Sequence, residues 1–202
     1  MKSGASRSTP TPGETAANGP SAPETAIPSG MREPDTGNVV RPRVPERLPQ
    51  AKWPEYWRSR LASTPPHPVV VWTYPALSRD LGGQADVKHS DFFRRLLKDM
   101  KMQRGTSAFW PLNPFPYGPN CDENTVDASM FMSGIDVLNP DMVVLMCGSA
   151  PRELGLGDLM PLMNVMIRGR YFVVTPQVDS LLDSPPRYNS LVTFLKGFLD
   201  RR

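Results

Sequence analysis

Val69-Val70-Val71-Trp72-Thr73-Tyr74 is a run of β-branched and aromatic residues without polar alternation. A strand with one wet face alternates apolar and polar residues, so an unbroken run predicts a strand covered on both faces, as in a parallel sheet. Asp141-Met142-Val143-Val144-Leu145-Met146-Cys147 has the same character, and Thr106–Trp110 is a shorter version. Val165–Arg168 and Tyr171–Thr175, across Gly169, read as a hairpin-like piece that supplies the last strand.

Helical stripes lie between these runs. Pro54–Leu61 predicts a short helix started by proline, with Trp53, Trp57 and Leu61 on one face at four-residue spacing. Pro75 to Lys88 reads as a loop. Ser90 is expected to cap a helix over 91–102 that carries Phe92, Phe93, Leu96, Leu97 and Met100 inward, with Gly105 beyond its end. Asn124 or Thr125 is expected to cap a helix to Leu138, after a loop punctuated by Pro111, Pro114, Pro116 and Pro119. Gly148-Ser149-Ala150-Pro151 turns the third strand into a short helix over 152–156, and a last helix starts at Asn189 or Ser190. Strands alternating with helices predict an α/β three-layer sandwich with a mostly parallel four-stranded sheet. Ligands of such sheets sit at the carboxyl ends of the strands, here Thr73–Ala76, Pro111–Phe115, Cys147–Ala150 and Thr175–Ser180.

The 202-residue chain divides unevenly. Residues 1–52 contain nine prolines and none of the seventeen aromatics. Ordering a residue costs about 1–2 kcal/mol, and this segment has little apolar surface to offset it. A disordered tail over 1–52 and one domain over 53–202 are the expectation. The net charge of +3 is dispersed, which argues against a dedicated non-specific DNA binder. The short basic run of Arg94, Arg95, Lys98, Lys101 and Arg104 falls on the polar face of a predicted helix. Cys121 and Cys147 have no disulfide or metal spacing, so neither metal nor cofactor is expected. Without an apolar stretch of signal-peptide or membrane length, the expected location is cytoplasmic.

The four strand-end loops, in this order, resemble the uracil-DNA glycosylase superfamily, most closely its iron-sulfur branch. There the first strand runs into a Gly-Glu-Ala-Pro-Gly turn followed by Glu-Asp and a glycine; here the stretch is Val71-Trp72-Thr73-Tyr74-Pro75-Ala76-Leu77-Ser78-Arg79-Asp80-Leu81-Gly82-Gly83. Leu145 to Ala150 is similar to the family's third strand end. Gln177-Val178-Asp179-Ser180-Leu181-Leu182-Asp183-Ser184-Pro185 looks like its His-Pro-x-x-Leu-Leu-x-x-Pro segment. The resemblance covers 69–199, and its pieces are degenerate.

The resemblance implies base flipping into a pocket, a carboxylate at the first turn and a histidine before the last helix. The acidic position holds Thr73 and the histidine position Gln177, so neither can carry the required charge. The base-reading asparagine falls near Trp110, with Asn113 close by, and the cluster cysteines are missing. Thr73, Tyr74, Pro75, Trp110, Asn113, Phe115 and Gln177 are therefore read as the remnant of a base pocket, with Tyr74 and Trp110 able to stack a base. Asp80 is read first as a loop cap and, in the alternative, as a surviving catalytic carboxylate alongside Gln177. Asp179 is read as a cap, and His67 and His89 as solvated.

The expectation is a catalytically inactive binding module in DNA replication or repair. The psi subunit of the bacterial DNA polymerase III clamp loader, with the same fold and a flexible docking peptide, is the implied precedent. The implied partner is that clamp loader or another replication or repair protein, with DNA as a second ligand. Trp53, Trp57 and Leu61, within a helix over 53–62, are candidates for the docking peptide or for a helix folded back on the domain. The alternative function is an active, divergent uracil-DNA glycosylase.

Overall fold

The buried runs become strands β1 (Val70–Thr73), β2 (Ser107–Phe109), β3 (Met142–Leu145), β4 (Asn164–Ile167) and β5 (Arg170–Val174) in a computed structural model that describes residues 45–200. They form one sheet in the order β2-β1-β3-β5-β4. Pairings β1–β2, β1–β3 and β3–β5 are parallel, and β4–β5 is antiparallel. The sheet therefore has five strands rather than the expected four. The hairpin supplies two, because both of its arms are long enough to pair across the Arg168-Gly169 turn.

Successive strand residues face opposite sides of a sheet, and both sides are covered. Val71, Ala108, Val143, Leu145, Phe172 and Val174 enter one cluster with helices α1 (Glu55–Ala62), α4 (Ala128–Leu138) and α5 (Ala150–Glu153). Val70, Trp72, Met142, Val144 and Val173 enter the other with α3 (Val87–Asp99), α6 (Val178–Leu182) and α7 (Pro185–Leu199). This is an α/β three-layer arrangement about a mostly parallel sheet. Among the described residues, no helix is long and apolar enough to cross a membrane.

Several boundaries differ from expectation for local reasons. Asp86, not Ser90, caps α3, and its carboxylate accepts from the Lys88 amide at 2.7 Å. Asp127, not Asn124 or Thr125, caps α4 by accepting from the Met130 amide. The expected loop after β1 is instead helical: α2 (Leu77–Arg79) runs into a π-helical turn over Asp80–Gln84. The last helix begins at Pro185, because prolines fit a first turn where amides have no intrahelical acceptor.

Of the expected tail, residues 1–44 lie outside the described residues, and the mostly exposed stretch 45–52 touches the domain through Arg47 and Leu48. The Leu48 amide donates to Ser133 Oγ at 2.9 Å, Trp53 Nε1 donates to the Leu48 carbonyl at 2.9 Å, and Arg47 pairs with Asp136. The reading of Trp53 and Trp57 as docking residues is corrected here. They are 2% and 1% exposed, with ring centroids 6.3 and 5.3 Å from that of Trp110, and Leu61 is half-buried against the same cluster. Their apolar face is already occupied by the chain's own core, so a partner cannot use it without unfolding that corner.

Candidate functional site

The carboxyl ends of β1 and β5 open into a cleft of about 280 Å³, lined among others by Tyr74, Pro75, Arg79, His89, Gln177 and Asp179. Three of the sequence-predicted pocket residues, Tyr74, Pro75 and Gln177, are brought together there. Gln177 is exposed at the N-terminal cap of α6, where its side chain makes no capping hydrogen bond.

The other predicted residues do not line it. Thr73, the last residue of β1, is completely buried, and its hydroxyl has no partner among the described residues. Trp110 is completely buried in the α1/α4 cluster. Asn113 is 1% exposed and its amide is committed: Oδ1 accepts from Ser78 Oγ at 2.7 Å, and Nδ2 donates to the Asp122 carbonyl at 2.6 Å. Phe115 packs edge-on to Tyr117 and covers Gly82, where a Cβ would overlap its ring. These four positions serve the fold rather than a base pocket.

Asp80 lies one row behind the cleft wall. Its side chain is 7% exposed. Oδ2 accepts from the Tyr74 hydroxyl at 2.7 Å and lies 3.0 Å from His89 Nδ1; Oδ1 accepts from the Asp86 amide at 3.2 Å. Asp80 is thus the anchor of a buried network, and Asp86 rather than Asp80 caps α3. His89, expected to be solvated, is 6% exposed and its second ring nitrogen, Nε2, lies 3.3 Å from Asp179 Oδ1. The signal for it was present: His89, Phe92, Phe93 and Leu96 follow the i, i+3, i+4, i+7 spacing of one helix face. Placing the start of α3 four residues late concealed it.

Carboxylates only accept hydrogen bonds, so His89 can satisfy both nitrogens only as the doubly protonated imidazolium. Burial opposes that charge, but hydrogen bonds and attraction from Asp80 and Asp179 outweigh it, and the net effect raises the His89 pKa from 6.5. Tyr74 is pushed strongly upward by burial and by its bond to Asp80, so it stays a neutral donor. Burial likewise raises the Cys147 thiol to about 12, which leaves it unreactive at neutral pH. Across the cleft mouth, Arg79 pairs with Glu123 at 3.1 Å. Among the described residues, no group of His, Cys, Asp and Glu side chains could hold a metal ion.

No protein-family model matches the chain, and no curated protein matches it.

The raised His89 pKa has a consequence for stability. A pKa higher in the folded than in the unfolded chain stabilises below the unfolded value, about 6.5, and that contribution disappears as pH rises through the folded value. His89→Gln removes the titrating group. The melting-temperature gap between wild type and His89→Gln is therefore expected to be widest near pH 6 and to shrink toward pH 9. Scanning calorimetry at several pH values checks this, and a gap independent of pH would show that His89 does not bridge as an imidazolium.

Proposed function

We propose that the chain is a catalytically inactive, uracil-DNA glycosylase-like binding module of DNA replication or repair, in the manner of a clamp-loader accessory subunit. The observation that carries the reading is Thr73. Where the resemblance calls for a carboxylate, at the carboxyl end of β1, there is an uncharged side chain that is completely buried. The neighbouring carboxylate does not replace it, since Asp80 faces Tyr74, His89 and the Asp86 amide rather than the cleft. Helices on both faces of four parallel strands are consistent with the implied fold, and the order and spacing of the strand-end loops support the family reading. Partner contacts in this reading fall on residues other than Trp53 and Trp57.

Incubating the full chain with single-stranded oligonucleotides containing uracil is expected to release no base. Mixing it with purified clamp-loader ATPase subunits is expected to give a complex by light scattering. Uracil release by the wild-type protein overturns the inactive reading, and failure to form any complex overturns the clamp-loader role.

One observation favours the alternative, an active divergent enzyme: a buried histidine backed by a carboxylate lines the cleft. In that reading His89 would carry the proton and Asp80 would orient it. Uracil release that falls in Asp80→Asn would support it.

A further inference from the structure

The edge of the sheet farthest from β2 has a composition that isolated edges rarely show. β4 pairs only with β5, and among the described residues nothing pairs with its outer side. Protein edges are usually blunted by lysine, proline, an inward charge or a covering segment. Leu162-Met163-Asn164-Val165-Met166-Ile167 has neither charge nor proline. Met163 is 48% exposed and Met166 56%, and Met160 and Leu162 before them are also exposed. Contiguous exposed apolar side chains of this kind mark interaction surfaces, and methionine suits them because its unbranched chain adapts to varied partners.

The backbone is poised to accept a strand. The turn pair Ile167–Arg170 and the pair Val165–Phe172 exchange ladder hydrogen bonds in an antiparallel hairpin of this register, which turns the peptide groups of Asn164 and Met166 toward the open edge. Inward of that edge, on the α7 face of the sheet, lies a cleft of about 330 Å³ lined by Met142, Asn164, Tyr171 and Leu199, with the Tyr171 and Phe198 rings in edge-on contact at its wall.

The charge at one end of β4 indicates what would lie on it. The Asp136 carboxylate, 9% exposed, receives three guanidinium groups: Arg170 Nη1 at 2.6 Å, Arg168 Nη1 at 3.0 Å, and Arg47. Arg168 and Arg47 remain 41% and 57% exposed, so their outward donors face solvent beside the β4–β5 turn. We infer that β4 is a docking edge for an extended partner segment whose apolar residues lie on the Met166 side of the strand and whose acidic end lies at Arg168 and Arg47. Strand addition supplies main-chain hydrogen bonds, alternate side chains supply specificity, and the arginines fix the direction. A second copy fits less well. Two-fold pairing about Val165 sets Arg168 opposite Leu162 of the other copy, and residues 159–163 offer no acid. This edge is separate from the strand-end cleft and does not depend on the glycosylase-like reading.

Fluorescence anisotropy of the full chain with the labelled synthetic peptide Thr-Val-Thr-Val-Thr-Val-Asp-Glu-Asp-Glu tests it, with a second peptide carrying lysine in place of each acid. The acid-ended peptide is expected to bind and to protect the Asn164 and Met166 amides from hydrogen exchange. Met166→Lys is expected to weaken it by at least about tenfold, and Arg168→Glu to shift preference toward the lysine-ended peptide. Because residue 166 is exposed, Met166→Lys should melt within about 2 °C of wild type, so weaker binding is not unfolding. Equal binding of both peptides, binding of neither, or a dimer in which those two amides are already protected overturns the proposal.

Discussion

Replacing Trp110 with alanine is expected to lower the unfolding free energy by about 3–5 kcal/mol, the range for removing a fully buried aromatic side chain. Trp110 is completely buried, and Trp53 and Trp57 both pack on it. Trp53 in turn holds the Leu48 carbonyl through Nε1, so the segment ahead of α1 loses its seat with the indole. The close fit extends to Gly134 in α4, where a Cβ would overlap the Trp110 ring. A rigid indole in a full core cannot swing aside, so Gly134→Ala should destabilise by about 1–3 kcal/mol or more through overpacking. The indole Nε1 has no hydrogen-bond partner among the described residues, so the Trp110 loss is one of packing rather than polar contacts. Urea denaturation of the two variants measures both effects. The same experiment separates two roles for this residue. A base-stacking platform on the surface would tolerate Trp110→Ala within about 0.5 kcal/mol.

The sheet was legible because a strand buried on both faces leaves an unbroken apolar run, and 69–74 and 141–147 are such runs. The helix stripes were legible for a similar reason, yet their first turns were not. Asp86 and Asp127 are caps that differ from nearby Ser90, Asn124 and Thr125 only in which side chain the folded backbone presents to a free amide. That small shift hid His89, since its inward position depends on where α3 begins. The strand count depended on whether the second arm of the hairpin paired, a fact fixed by β5 and not by the arm's own residues. Trp53, Trp57 and Leu61 were correctly placed on one face, but spacing alone does not say whether such a face meets its own domain or another protein. The cleft brings Tyr74 and His89 together with Gln177 and Asp179, about ninety residues on, and only the sheet order joins them.

Asp80→Ala is expected to cost about 3 kcal/mol, because removing one partner of a buried charged pair leaves the others without compensation. The Tyr74 hydroxyl loses its acceptor, His89 keeps only the exposed carboxylate of Asp179, and the Asp86 amide that opens α3 loses a partner. Asp80→Asn keeps an acceptor for Tyr74 but not the negative charge beside the imidazole, so it should cost less than the alanine. The two variants also report on the histidine. Attraction to Asp80 is among the forces that raise the His89 pKa. Without the charge the folded pKa moves back toward that of the unfolded chain, and the loss of stability between pH 6 and pH 9 should flatten in both variants. Denaturant titrations of wild type and the two variants at pH 6 and pH 9 measure the cost and the flattening together. An Asp80 that touched only water would give two variants near wild type with an unchanged pH slope. That result would remove the network on which the cleft wall is built. A large cost with a flattened slope instead identifies Asp80 as a positioning residue for His89, held behind the cleft and away from any ligand.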